Sequence, residues 1–350
     1  MKYLKLFDSH SDYERLESSL TRPNVSSCLD ERGAHYKTIP LHPEAYFSFV
    51  AEEAGTFKLD GNDLVYSIDN GVTWHALEDG NDSPIVEAGQ RIIWSATLAG
   101  IPNVNVGTFS STGLFRAEGN VMSIMFGDDF MGKYSLSGFP AVFQNMFSGC
   151  TGLTSAENLL LPATAISEHC YDSMFEGCTS LTATPSRLPA ETLEDYCYDS
   201  MFKGCTSIEF APALPSSSLA ASCYDSMFYG CESLTAAPEL PANTLAISCY
   251  ESMFYGCTSL TSSPDLPAKT LAESCYTDMF NGCSSLNSIV CGAIDISATN
   301  CTTNWVSGVS ATGTFLKDFK SHSWTTGVNG IPNGWTVEEL EPPYDENISQ

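Results

Sequence analysis

The stretch from Cys223 to Ser248 reads CYDSMFYGCESLTAAPELPANTLAIS, and the chain repeats it with small changes on both sides. The dipeptide Met-Phe recurs at 146, 174, 201, 227, 253 and 279, at spacings of 28, 27, 26, 26 and 26 residues. An altered further copy places Trp305 and Val306 where Met-Phe is expected. Periods of 20 to 29 residues are typical of leucine-rich-repeat solenoids, in which one coil cannot bury its own apolar face and must stack on neighbours. The sequence therefore predicts a solenoid of roughly six coils.

Each coil is expected to contain one short helical turn and one short strand. We interpret Tyr250–Phe254 as the helical turn, with Gly256 as its C-cap. Residues 259–261 then lead into a strand that Pro264 and Pro267 stop, because proline cannot donate to a strand ladder. Stacked coils would form a parallel sheet with one strand per coil. Equivalent inward positions are predicted for Leu181, Ile208, Leu234, Leu260 and Leu286.

Cysteine follows the same period. One column comprises Cys170, Cys197, Cys223, Cys249, Cys275 and Cys301, and a second comprises Cys150, Cys178, Cys205, Cys231, Cys257 and Cys283. The interpretations are buried, reduced structural residues, a disulfide framework, or metal ligands. We expect reduced thiols, since no export signal is recognisable, and no metal, since zinc sites need more closely spaced ligand pairs than the eight residues found within a coil.

The chain divides into four segments that differ in hydrophobic pattern and charge. Residues 1–44 predict an N-terminal docking segment with a short helix and a hairpin near Glu31–Gly33. Residues 45–135 alternate apolar and polar side chains between turn residues, which predicts a small antiparallel, sandwich-like β-domain. Residues 136–310 form the solenoid, and residues 311–350 a C-terminal cap with an acidic tail from Glu338. The expected fold class is mainly β with short helices.

Charge limits the possible partners. The net charge is −27, of which residues 1–44 carry 6 − 7 = −1 and the remainder −26. So acidic a body repels phosphate backbones, so we expect neither nucleic-acid binding nor binding to anionic membranes. No apolar run approaches the roughly 20 residues that span a bilayer. The first twenty residues also lack the apolar core of a secretion signal.

The sequence contains little evidence of a catalytic site. Residues 67–74, SIDNGVTW, match the Asp-box pattern, which as a single copy indicates a turn-stabilising hairpin rather than a sialidase site. His169 precedes Cys170, but the other coils have the cysteine without the histidine, which favours a structural thiol. Neither a phosphate-binding loop nor a nucleophile elbow is present. We expect a protein that is not an enzyme and binds no cofactor or metal.

Positions that vary between coils are the candidate ligand-binding surface. The position after Met-Phe holds Glu176, Lys203, Tyr229, Tyr255 and Asn281, and the position after the Pro-Ala pair holds Glu191, Asn243 and Lys269, with Ser217 in the odd coil. Lys203, Tyr229, Tyr255 and Asn281 are the candidates, because exposed aromatic side chains on adjacent coils suit sugar or protein faces. The alternative is that these positions vary only because a solvent-exposed surface tolerates substitution.

The repeat M-F-x-G-C-x-S-L-T, for example Phe175 to Thr182, resembles the BspA-like leucine-rich repeats of bacterial surface proteins over about residues 141–310. The opening MKYLKLF, the block 107–123 and the closing stretch 325–335 resemble repeat proteins of gut Bacteroides-type bacteria and their tailed phages. The resemblance implies adhesion or display and supplies no catalytic residues. It departs in one respect, since bacterial surface members are exported.

These observations together lead us to expect a phage virion component, as a fibre, decoration or tail-associated protein, assembled in the host cytoplasm. It would be a homo-oligomer that contacts other virion proteins through residues 1–44 and a host surface protein or glycan through the solenoid. The alternatives are a bacterial cell-surface adhesin, an intracellular scaffold and, less favoured by the motifs, a glycan-acting enzyme.

Overall fold

The computed structural model describes residues 42–62, 64–77, 80–96 and 105–340. The predicted helix and hairpin of the N-terminal segment, and most of the acidic tail, lie outside these residues. The strands are β1 Ser48–Ala51, β2 Phe57–Gly61, β3 Leu64–Ser67, β4 His75–Leu77, β5 Arg91–Ala96, β6 Gly107–Ser111, β7 Phe115–Asn120, β8 Leu153–Leu160, β9 Ser262–Leu266, β10 Ser288–Cys291, β11 Thr314–Asp318 and β12 Thr336–Leu340. A four-residue helix, α1 (Ser123–Phe126), and 3-10 turns at Pro43–Ala45 and Gly127–Asp129 complete the regular elements. The protein is thus mainly β, as predicted.

A six-stranded sheet in the order β4-β3-β5-β1-β7-β8 forms the N-terminal part. Its pairs are antiparallel except β7–β8, which is parallel and carries the sheet into the repeats. The β2–β6 ribbon packs on this sheet through aromatic side chains. The ring of Phe49 lies 5.1 Å from Phe57, 5.0 Å from Phe109 and 5.8 Å from Phe147, the first phenylalanine of the repeat series. The two parts therefore share one continuous core.

The Asp-box residues close the β3–β4 hairpin, which confirms the structural interpretation. The Asp69 carboxylate accepts hydrogen bonds from the Thr73 amide at 2.8 Å and from the Thr73 hydroxyl at 2.6 Å. The Ser67 hydroxyl donates to Asp69 at 2.7 Å and accepts from the Gly71 amide at 2.8 Å. The side chains of Ser67, Asp69 and Thr73 are all engaged in the turn, so the motif fixes a loop.

The predicted helical turn at Tyr250–Phe254 is wrong. Left-handed residues recur every fourth position, at Ser248 and Ser252 (φ 52° each) and Gly256 (φ 71°), and this pattern occurs seven times among the described residues. Every second amide donates to the carbonyl oxygen three residues earlier in the same coil, as in a series of overlapping β-turns. The amides between them donate to the next coil: Tyr250, Ser252, Phe254 and Gly256 to the carbonyls of Cys275, Thr277, Met279 and Asn281, at 2.7–3.2 Å. In a helix the amides beyond the first turn bond within the helix and would not be free to link stacked coils.

On the other side of each coil the chain pairs in parallel, as predicted. Strands β9, β10, β11 and β12 form one parallel sheet, whereas earlier coils meet in single bridges such as Arg187–Ala213 and Phe210–Ala236. Proline explains the difference, because most coils carry two prolines here and lose those donors, while β10 has none. Residues 259–261 lead into β9 as predicted, but Pro264 lies inside the strand and does not stop it, and β9 ends at Leu266, just before Pro267.

Identical side chains stack from coil to coil in the interior. The phenylalanine column continues from Phe147 to Phe280 with neighbouring ring centroids 5.2–5.7 Å apart. Beside it, rings are 5.5–6.2 Å apart in the tyrosine column, which comprises Phe143, Tyr171, Tyr198, Tyr224, Tyr250, Tyr276 and Trp305. The predicted inward positions Leu181, Ile208, Leu234, Leu260 and Leu286 are fully buried.

The solenoid ends are capped differently. At the N-terminal end, the Val106 and Phe109 amides donate to the carbonyls of Val142 and Met146, which have no earlier coil to satisfy them. At the other end, the side chain of Asn329 accepts from the Asn304 amide at 2.7 Å. The region predicted as a cap also extends the parallel sheet through β11 and β12. Residues 338–340, predicted to begin the acidic tail, belong to β12.

Candidate binding surface

The position after Met-Phe forms a continuous column on the outside of the turn segments. This variable column comprises Glu176, Lys203, Tyr229, Tyr255 and Asn281, all half-buried. The Lys203 ammonium lies 3.0 Å from the Glu176 carboxylate. The rings of Tyr229 and Tyr255 are parallel and 4.5 Å apart. The candidates proposed from sequence therefore lie side by side.

A second outward column was not recognised from the sequence. This acidic column comprises Asp172, Asp199, Asp225 and Glu251, at the position after Cys-Tyr. In three coils the next serine donates to the carboxylate at 2.8 Å: Ser173 to Asp172, Ser200 to Asp199 and Ser226 to Asp225. The signal was visible, because the repeat allows only Asp or Glu at this position in four consecutive coils.

The pKa values of two aspartates in the acidic column are raised, because burial and neighbouring carboxylates both disfavour the charged form. Burial raises the pKa of Asp225 from 3.8 to about 7, and the neighbouring charges of Asp199 and Glu251 add to the increase. Burial likewise raises the pKa of Asp199 to about 6, with a further contribution from Asp172. Lys203 lies near enough to oppose both increases. The acidic and variable columns thus form one electrostatically coupled surface.

His169 belongs to this surface and not to a thiol centre. Its Nδ1 lies 2.9 Å from the Asp172 carboxylate, and its ring stacks on that of Tyr196 at 4.9 Å. The Cys170 thiol points to the Phe139 carbonyl, and burial raises its pKa to about 11. A nucleophilic thiol needs the opposite shift. The arrangement matches the structural interpretation of Cys170.

All thirteen described cysteines are buried and unbridged. Ten cysteines of the two columns were predicted to be structural, and all of them are buried inside the solenoid: Cys170, Cys178, Cys197, Cys205, Cys223, Cys231, Cys249, Cys257, Cys275 and Cys283. In the described part of the chain, no three His, Cys, Asp or Glu side chains are grouped so that they could hold a metal ion. Nor does any described helix have the length and apolar character needed to cross a membrane.

The position after the Pro-Ala pair is also exposed, but its members have different surroundings. Glu191, Ser217, Asn243 and Lys269 are all exposed. Lys269 pairs with Asp318 at 2.9 Å, so one of the four is engaged by the last coils. The variable column is therefore the better candidate for a ligand-binding surface.

No protein-family model matches the sequence, and no curated protein matches it. Among solved structures, a leucine-rich-repeat protein from T. pallidum, TpLRR, is similar with 19% sequence identity and a TM-score of 0.27. The similar region covers 49% of this chain, and the chain spans 65% of the length of that protein.

Proposed function

We propose that the protein is a non-enzymatic binding and display protein whose solenoid presents the variable and acidic columns to a partner. One observation carries this proposal. The interior columns keep nearly the same side chain in every coil, whereas the variable column changes from Glu176 to Lys203 to Tyr229. Such a constant frame with exchangeable outward positions gives repeat proteins extended binding surfaces.

The finer proposal is a phage virion component, as a fibre, decoration or tail-associated protein, that attaches to a host surface protein or glycan. The resemblance of the repeats and flanks to surface and phage repeat proteins supports it. The acidic body would keep many displayed copies soluble and away from packaged DNA. Residues 1–44, with a balance of −1, would dock on other virion proteins, and oligomeric display would strengthen weak binding by avidity.

The binding surface can be tested by replacing residues of the variable column with the residue that another coil carries at the same position. The double variant Tyr229→Asn/Tyr255→Asn places the residue of the coil that follows Tyr255, Asn281, in both tyrosine positions. We expect it to fold normally and to lose about tenfold or more in binding of the fluorescently labelled protein to gut Bacteroides-type cells. The matched control Asn243→Lys, which copies Lys269, should bind as the unmodified protein does. Equal binding of all three proteins would contradict the assignment of the surface.

Particle assembly tests the virion proposal separately. A chain lacking residues 1–44 should keep its solenoid and fail to enter phage particles. Absence of the full chain from purified particles, together with its presence on bacterial cells, would instead identify a bacterial adhesin. Incorporation of the shortened chain would contradict the docking role of residues 1–44.

A further inference from the structure

A second surface lies on the sheet side of the coils and involves none of the residues discussed above as binding candidates. The equivalent outward-facing position, or rung, of four successive coils holds Ala183, Phe210, Ala236 and Ser262. The side chain of Phe210 is 66% exposed, the largest value among the exposed large hydrophobic side chains of the described residues. A small residue suffices structurally at this rung, so the phenylalanine is not needed by the fold.

A shallow groove begins beside Phe210. Phe210 pairs with Ala236, and the groove starts at the next residue, Ala237. Its volume is about 460 Å³, and it runs between two adjacent coils. Its lining includes Ala237, four prolines and the acidic residues Glu239 and Asp265. This is room enough for one or two side chains of a partner next to an exposed aromatic ring.

The groove is acidic, and half of its lining residues lack a backbone donor. Four of its residues are prolines, which have no backbone N–H. Its charged side chains, Glu239 and Asp265, are both exposed, and neither forms an ion pair with another described residue. A sugar hydroxyl both donates and accepts, whereas ammonium and guanidinium groups only donate and also carry the positive charge that Glu239 and Asp265 attract. The chemistry therefore favours a cationic partner.

We infer that Phe210 and the proline-lined groove form a docking surface for an extended, lysine- or arginine-rich polypeptide segment of another protein. An apolar side chain of that segment packs on Phe210 and Ala237, and its cationic groups pair with Glu239 and Asp265. The acidic body attracts the segment at long range, and the ring supplies the short-range anchor. This docking surface does not depend on the proposed function, because it uses no residue of the variable or acidic columns.

The test uses fluorescence anisotropy with the full chain and three labelled twelve-residue peptides: Lys-Leu-Lys-Ser, Lys-Ser-Lys-Ser and Glu-Leu-Glu-Ser, each repeated three times. At physiological ionic strength we expect the Lys-Leu peptide to bind most tightly, with affinity reduced about tenfold or more by Phe210→Ala and by Glu239→Ala/Asp265→Ala. Both changes place residues that other coils already carry, Ala236 and Ala213, so the fold should persist. The control Tyr229→Asn should change the affinity less than about twofold.

Four results would overturn the inference. They are absence of binding by the unmodified chain, equal binding of the Lys-Leu and Lys-Ser peptides, equal or tighter binding of the acidic peptide, and an affinity that Phe210→Ala leaves unchanged. A loss of binding in Tyr229→Asn as large as in Phe210→Ala would place the peptide on the turn side and would overturn it as well.

Discussion

The thiol of Cys257 donates a hydrogen bond to the carbonyl oxygen of Phe228, one coil earlier, at 3.1 Å. The same contact recurs at 2.9–3.1 Å from Cys178, Cys205, Cys231 and Cys283 to the matching phenylalanine carbonyls. The second cysteine column therefore does more than fill space, because each thiol links two coils.

Removing one of these thiols should weaken the solenoid. In Cys257→Ala a buried carbonyl loses one donor and a small cavity is left, so the free energy of unfolding should fall by about 1–3 kcal/mol. Urea unfolding measures the change. Glu232→Thr, which copies the exposed Thr258 of the next coil, should change it by less than about 0.5 kcal/mol. Equal stability of the two variants would contradict a structural role for the thiol.

The cysteines should be reduced and unreactive in the native protein. Burial raises the pKa of Cys205, Cys223 and Cys283 to about 12, so almost no thiolate is present near neutral pH. Alkylation followed by mass spectrometry should label none of the twelve column cysteines natively, and all of them after denaturation. Finding mostly bridged pairs would show that stacked cysteines oxidise.

The acidic column should make the solenoid less stable as pH rises. The pKa values of Asp225 and Asp199, about 7 and 6, exceed the ordinary 3.8, so the folded state binds protons more tightly than the unfolded state. This contribution is fully present below about pH 4 and is lost as pH rises through 6 to 7. Solvent screening at these partly exposed groups keeps the loss near 1 kcal/mol, or about 2–4 °C in Tm.

The variant Asp225→Thr, which copies Thr277, should show a smaller fall in Tm between pH 5 and pH 8. Calorimetry across this range measures it. A Tm that rises with pH in the unmodified protein, or an unchanged slope in Asp225→Thr, would contradict the proposed coupling between Asp199, Asp225 and Glu251.

The C-terminal cap should depend on one side chain. Asn329→Ala removes the acceptor of the Asn304 amide at the last turn segment, at a cost of about 1 kcal/mol. Hydrogen exchange at Asn304 should accelerate, whereas Asn333→Ala, at an exposed position nearby, should leave it unchanged. Equal exchange in both variants would mean that Asn329 is not the cap.

Much of the fold followed from the period of the sequence. Residues recurring every 26 positions must face the same way, so the burial of Leu260 and its equivalents, the cysteine columns and the contact between Tyr229 and Tyr255 were all predictable. The turn segments were not, because left-handed serines such as Ser252 carry none of the signal that glycine gives. Only the requirement that alternate amides reach the next coil explains them.

The surfaces were predictable in part. Lys203 and Tyr229 were predictable because their column varies, whereas Asp225 was missed because its column is acidic in four consecutive coils, and Phe210 because the other coils carry small residues at its position. Charge coupling and grooves depend on what lies across two coils, which a single-coil consensus does not contain. A comparison made rung by rung, including rungs of small residues, would have identified Phe210.

The central structural claim is that alternate amides bond to the coil that follows. Through-hydrogen-bond NMR couplings test it most directly, at the pair formed by the Gly230 amide and the Tyr255 carbonyl, which are 2.7 Å apart and 25 residues distant in sequence. We predict a coupling between the Gly230 nitrogen and the Tyr255 carbonyl carbon, and the same offset at Phe228 with Met253. A coupling from Gly230 to Ser226, as in a helix, would contradict the account.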